Sequence, residues 1–189
     1  MKLNVAAGPD ILDGWINMDL YPQNSKVMKG DILSIPLPDR SCETVMANYV
    51  FEHLNFVDEP KAFSEVTRVL KPRGELIVKV PDFEDTVKKW LAAEDSWKCF
   101  YKLCKPSDPS YGFGHGFVMD QRWGVIMTHI FGSFAAPGLV HQNAYTYDKL
   151  LAIFSYLKLI GTRIETVIES DRGYDIKALV ARGFKNDET

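Results

Sequence analysis

The 189-residue chain is poor in cysteine. Its three thiols, Cys42, Cys99 and Cys104, are an odd set without metal-ligand spacing, which excludes a disulfide framework and predicts a reducing, cytoplasmic setting. The chain also lacks an excess of positive charge, because 22 Lys and Arg stand against 25 Asp and Glu for a formal net charge of -3. Binding driven by counterion release has no electrostatic footprint here, so no nucleic-acid partner is expected. No apolar run approaches the roughly 18–20 residues that span a bilayer, and the opening MKLNVAAG has no charged stretch leading into a long apolar one; neither a membrane partner nor secretion is expected. Internal repeats are missing, and so is the G-x-G-x-x-G fingerprint of nicotinamide dehydrogenases. His115 in HGF and His129 in THIF have no cysteine or carboxylate at ligand spacing, so the sequence predicts no metal site.

What is present is 46% hydrophobic residues, enough for one compact domain spanning 1–189. Short apolar runs at 2–5, 15–20, 26–32 and 44–50 read as buried strands, the second and third running to Asp19 and Asp31. Ala62, Phe63, Val66, Val69 and Leu70 recur at helical spacing over 60–70. KPRG at 71–74 reads as a helix stop in which glycine supplies the left-handed exit, and ELIVKVPD supplies a fifth strand. Residues from about 85 to 143 form too long a stretch for an ordinary connection and read as an insertion within the domain. A helix capped by Thr146 follows, with Leu150, Leu151, Phe154 and Leu157 on one stripe. The runs at 162–170 and 174–184 are so close in sequence that they must pair antiparallel.

Strands alternating with helices and ending in a hairpin imply an α/β protein whose sheet is mostly parallel, with ligands beyond the carboxyl ends of its strands. The strand ends carry AAGPD, whose small side chains let a ligand approach free backbone amides. They also carry Asp19, able to accept two hydrogen bonds from vicinal ribose hydroxyls, and Asp31 with Ile32, able to meet an adenine amino group and ring nitrogen.

LNVAAG, GWINMD, GDILSIPLPDRSCETVMANYVFEHL and EVTRVLKPRGELIVKVPD, in that order, resemble the class I S-adenosylmethionine-dependent methyltransferases, especially a small branch opening L-N-x-G-x-G and G-W-x-N-x-D. The likeness covers about residues 2–84 and returns more weakly near the end. It implies a Rossmann-like methyltransferase fold with a mostly parallel seven-stranded sheet, order 3-2-1-4-5-7-6, whose last hairpin is antiparallel. It implies S-adenosylmethionine (SAM) as cofactor, its methionine part against Ala6, Ala7, Gly8 and Asn48, its ribose on Asp19 beside Leu20, and its adenine near Asp31 and Ile32. About ten residues separate Gly8 from Asp19 and a similar number Asp19 from Asp31, too few for crossover helices. Reduced N-terminal helices are therefore expected, with one sheet face covered by the insertion or by a second copy in a homodimer.

Direct displacement at a sulfonium needs alignment more than a dedicated base. If a hydroxyl accepts the methyl group, a histidine suits the proton: His53 leads by location, then His141 in HQNAY, with Tyr145 positioning the acceptor. Glu52-His53 reads equally as a helix-start pair bonded to local backbone. Tyr111, Phe113, Phe117 and Trp123 read as an acceptor lining or as core and interface. Arg68, Lys71, Arg73 and Lys79 read as a solvated face, for want of interleaved aromatics. The function expected is methyl transfer to a small-molecule substrate. The alternative is a non-catalytic methyltransferase-like binding or assembly module with weakened cofactor binding, because Ala6 stands where the family carries glycine.

Overall fold

The computed structural model describes residues 1–92, 102–103, 117–118, 128–133, 138–171 and 174–187. Cys99, Cys104, Tyr111, Phe113, His115 and Trp123 lie outside them, and of Phe117 only the backbone is described. The chain runs β1 (Lys2–Val5), β2 (Ile16–Asp19), β3 (Val27–Lys29), β4 (Cys42–Asn48), a 3-10 turn (Phe51–His53), α1 (Asp58–Val69), β5 (Leu70–Pro81) and α2 (Phe83–Leu91). It continues through β6 (Lys102–Leu103), β7 (Phe117–Val118), α3 (Tyr147–Tyr156), β8 (Ile160–Asp171) and β9 (Tyr174–Phe184).

The seven longer-range strands form one sheet in the order β3-β2-β1-β4-β5-β9-β8, and β6 pairs separately with β7. Neighbours from β3 to β5 are parallel, whereas β9 lies antiparallel to both β5 and β8. This is the expected order 3-2-1-4-5-7-6 with its reversed last hairpin. One face buries Leu3, Val5, Met18, Val45, Ala47, Leu76, Val78 and Val80. On it α1 lays Ala62, Phe63, Val66 and Val69, with the Phe63 ring stacked on Phe51 at 3.9 Å. Helix α3 buries Leu150 and Phe154 and packs against β8 and β9.

No helix joins β1 to β2 or β2 to β3, so the shortage of residues removes those crossovers altogether. On that face the pairing register sets Asn4 beside Asn17. Asn4 Nδ2 donates to Asn17 Oδ1 (3.0 Å) and to the Asp10 carbonyl (2.8 Å). Asn17 in turn accepts from the Leu12 amide (2.9 Å) and donates to the Leu12 carbonyl (3.0 Å). Both asparagines are buried because the connection itself folds over them. At β1 and β2 this latched loop lies over the two asparagines.

The exit from α1 also departs from expectation. Leu70 is already extended and β5 follows directly. The left-handed residue is Arg73 (φ 62), not Gly74. Glycine is needed at 74 for space: a Cβ there would stand 2.9 Å from the Lys71 carbonyl and 3.1 Å from that of Cys42.

Candidate active site

Beyond the carboxyl ends of β1 to β4 lies a cavity of about 430 Å³, within the range that takes a nucleoside-sized ligand. Ala6, Ala7, Gly8, Asp19, Leu20, Asp31, Ile32 and Asn48 all line it. These are the residues that the resemblance links to the cofactor, and the topology brings every one of them to a single cavity. Ala6 and Gly8 both take positive φ, 52 and 51, and this turn aims the Gly8 amide at Asp19 Oδ2 (2.9 Å). The other Asp19 oxygen accepts from the Tyr21 amide (2.8 Å), and Asp31 Oδ1 accepts from the Leu33 amide (2.9 Å). Both aspartates are therefore turn residues as well as cavity residues. Each carboxylate oxygen has lone pairs beyond the bond it makes, so local bonding orients the acids without using up their capacity. Asn48 Oδ1 is buried without a hydrogen-bond partner among the described residues. An orphan acceptor at a cavity wall fits a ligand's ammonium or hydroxyl.

The loop that follows Asp31 and Ile32 is held by α1. Arg68 donates to the Ile35 carbonyl (2.9 Å), the Leu37 carbonyl (2.9 Å) and Asp39 (2.6 Å), while Glu65 accepts from the Ile35 amide (2.8 Å) and grips Arg68 Nε at 2.7 Å. The four cations read as a solvated face are each ion-paired: Arg68 as above, Lys71 with Glu43, Arg73 with Asp187, and Lys79 with Glu169.

The same cavity is also lined by Tyr49, His53, Gly138 and Leu139. Tyr49 has φ 52 and donates its hydroxyl to Glu169, which also pairs with Lys79. Desolvation first, then the Glu169 carboxylate, raises the phenol's pKa and keeps it protonated. Residues 138–143 bring a remote segment to the 3-10 turn. The Gln142 and Asn143 amides donate to the Glu52 carbonyl, and Gln142 Nε2 donates to the His53 carbonyl. His141 thereby meets His53, ring centroids 4.9 Å apart. Each imidazole faces a backbone carbonyl through Nδ1: His53 with Val140 (3.3 Å), His141 with His129 (2.9 Å). A carbonyl only accepts, so Nδ1 carries the proton and Nε2 keeps its lone pair. Burial lowers both pKa values, that of His141 to about 4, so both rings are neutral at pH 7.

Glu52 does not cap the turn. It is 2% exposed, its Oε2 has no hydrogen-bond partner among the described residues, and desolvation pushes its pKa up to about 8. Tyr145 is 1% exposed and away from the cavity. Its hydroxyl donates to Glu59 and its backbone carbonyl accepts from the Phe83 amide (3.0 Å), so the structure makes it an anchor of α2 and α3 rather than a residue facing an acceptor. Sequence reasoning missed Tyr49, Glu52 as a buried acid, and the Asn4–Asn17 latch. The asparagines stand inside the quoted LNVAAG and GWINMD stretches, where their recurrence before short connections is the available signal.

A SAM-dependent methyltransferase of Thermotoga maritima superposes with a TM-score of 0.58 at 14% identity, covering 98% of this chain and 82% of that one. The chain has the class I methyltransferase fold. Haemonchus contortus phosphoethanolamine N-methyltransferase 2, solved with S-adenosyl-L-methionine, shares that methyltransferase fold at 11% identity and a TM-score of 0.53, over 98% of this chain and 48% of the other. A methyltransferase-domain family model matches residues 8–78, the stretch from the Gly8 turn into β5. By sequence, the 25S rRNA (adenine(645)-N(1))-methyltransferase of Saccharomyces cerevisiae is 40% identical over 60 residues, 32% of this chain and 14% of its own length. The aligned stretches span less than a third of the curated relatives they match.

Proposed function

We propose that the protein is a SAM-dependent methyltransferase acting on a small-molecule acceptor. The carrying observation is the single cavity whose lining gathers the Gly8 turn, Asp19, Asp31, Asn48 with its orphan oxygen, and the neutral imidazole of His53. SAM supplies an activated methyl group on a sulfonium. The chain's own part is to bind and align, through the turn at 6–8, the two carboxylates and Asn48, and to shape an acceptor space under Tyr49, His53 and Leu139. His53, neutral and with its Nδ1 committed to the Val140 carbonyl, accepts the proton of an acceptor hydroxyl as that oxygen takes the methyl group; the His141 ring packs against it. A small acceptor is favoured over a polyanion because Arg68, Lys71, Arg73 and Lys79 are engaged in ion pairs and the net charge is -3.

Calorimetry with SAM and S-adenosylhomocysteine tests this reading. One site per chain is expected, and Asp19→Ala is expected to weaken it at least about tenfold through loss of charge-assisted bonds. Absence of binding at high micromolar ligand would overturn the enzyme reading in favour of a non-catalytic module, and unchanged affinity in the variant would refute the ribose assignment.

A further inference from the structure

Glu52, His53 and His141 each offer one ligand atom, and the three atoms lie within 4.8 Å of one another. Their surroundings differ from those of a chance cluster in three respects. The Nδ1 atoms of both histidines are committed to main-chain carbonyls, the arrangement that fixes a ring and turns Nε2 toward a metal. The carboxylate is 2% exposed with an oxygen that nothing among the described residues satisfies, a state that ordinarily calls for a partner. The backbone around the cluster is pinned as well, by the amides of residues 142 and 143 on the Glu52 carbonyl and by the bridge between Gly132 and Val140. A Cβ on Gly132 would stand 2.2 Å from the Leu139 carbonyl oxygen, so glycine is what lets the two segments of that bridge approach this closely.

We infer that Glu52, His53 and His141 form a binding site for a divalent first-row transition ion, with an open coordination position toward the cavity. Two imidazoles and one carboxylate suit zinc or iron(II), whereas magnesium and calcium demand more oxygen ligands than are present. Tetrahedral bonds of about 2.0–2.1 Å set ligand atoms about 3.3 Å apart, so the cluster contracts by an ångström or so around an ion. Three protein ligands leave the remaining position on the side of His53, which lines the cavity. An acceptor oxygen coordinated there is acidified by the ion and releases its proton to water. The ion and a direct proton transfer to His53 use the same Nε2 lone pair and are therefore alternatives. Only this catalytic use rests on the methyltransferase reading; the ion site stands on its own side chains.

The test is calorimetric titration of chelator-stripped full-length protein with zinc chloride, and with cobalt(II) for its visible absorption. One zinc per chain is expected, with the intense cobalt bands of a low-coordinate nitrogen and oxygen site. Glu52→Gln, which keeps the shape of the buried side chain, and His141→Ala are each expected to weaken zinc at least about tenfold. Wild-type protein that takes up no zinc, or variants that bind it as tightly as wild type, would overturn the site. SAM affinity of Glu52→Gln is measured without metal in parallel. Its persistence shows that the variant is folded, and its absence in wild type would strike the proposed function while leaving the zinc result standing.

Discussion

An L-residue at φ 52 crowds its Cβ against the following carbonyl, at a cost of about 1–2 kcal/mol, and Ala6 carries that strain beside Gly8 at the cavity wall. Glycine at this position relieves the clash but adds freedom to the unfolded chain. Ala6→Gly is therefore expected to stabilise the fold by up to about 1 kcal/mol in urea unfolding, with SAM affinity unchanged or tighter; a loss of stability would show that the strain is absent. The same scale separates orientation from chemistry at Asp19. Its bonds to the Gly8 and Tyr21 amides hold the carboxylate without neutralising it, which is why its removal should register in ligand affinity.

Elements here are held by polar latches where helices are missing. The 6–15 connection closes over β1 and β2 through Asn4 and Asn17. Asn17→Ala leaves the Leu12 amide and carbonyl and the Asn4 side chain without their partner. It is expected to cost about 2–4 kcal/mol, since several buried polar groups lose a bond at once, and to weaken SAM because the Gly8 turn belongs to the same connection. The 31–39 loop hangs instead on α1 through Glu65 and Arg68. The Arg68 guanidinium holds the Glu65 carboxyl below its usual 4.5, outweighing the opposing desolvation. A depressed folded pKa means that this stabilisation is present above about 4.5 and disappears as pH falls through the lower folded value. Glu65→Gln should thus be less stable than wild type at neutral pH, and the gap measured by urea unfolding should close in acid; a gap independent of pH would refute the charge-based latch.

At the scale of the molecule, the ends of several strands of one sheet line the same cavity, so a ligand that spans β1 to β4 ties distant strands together. Binding to the native state alone stabilises it by about 2.7 kcal/mol at a hundredfold excess over Kd. For a chain of this size that corresponds to a rise in Tm of about 5–10 °C. Thermal unfolding with SAM is expected to show such a shift and with NAD to show none; the reverse would favour a dehydrogenase.

The strands, their order by resemblance and the cavity residues at strand ends were legible in the sequence, because buried runs, turn residues and the spacing of Gly8, Asp19 and Asp31 are local signals. Short spacing alone also dictated that β1, β2 and β3 connect without helices. What tertiary structure decided is which polar side chains meet. Asn4 finds Asn17 only through parallel register, and Glu52 and His53 reach His141 only because residues 138–143 fold back onto the 3-10 turn. Tyr145 turned inward to Glu59, and Arg73 rather than Gly74 took the left-handed turn. Each of these depends on where a remote segment lies, and periodicity in one stretch of chain carries no information about its distance from another.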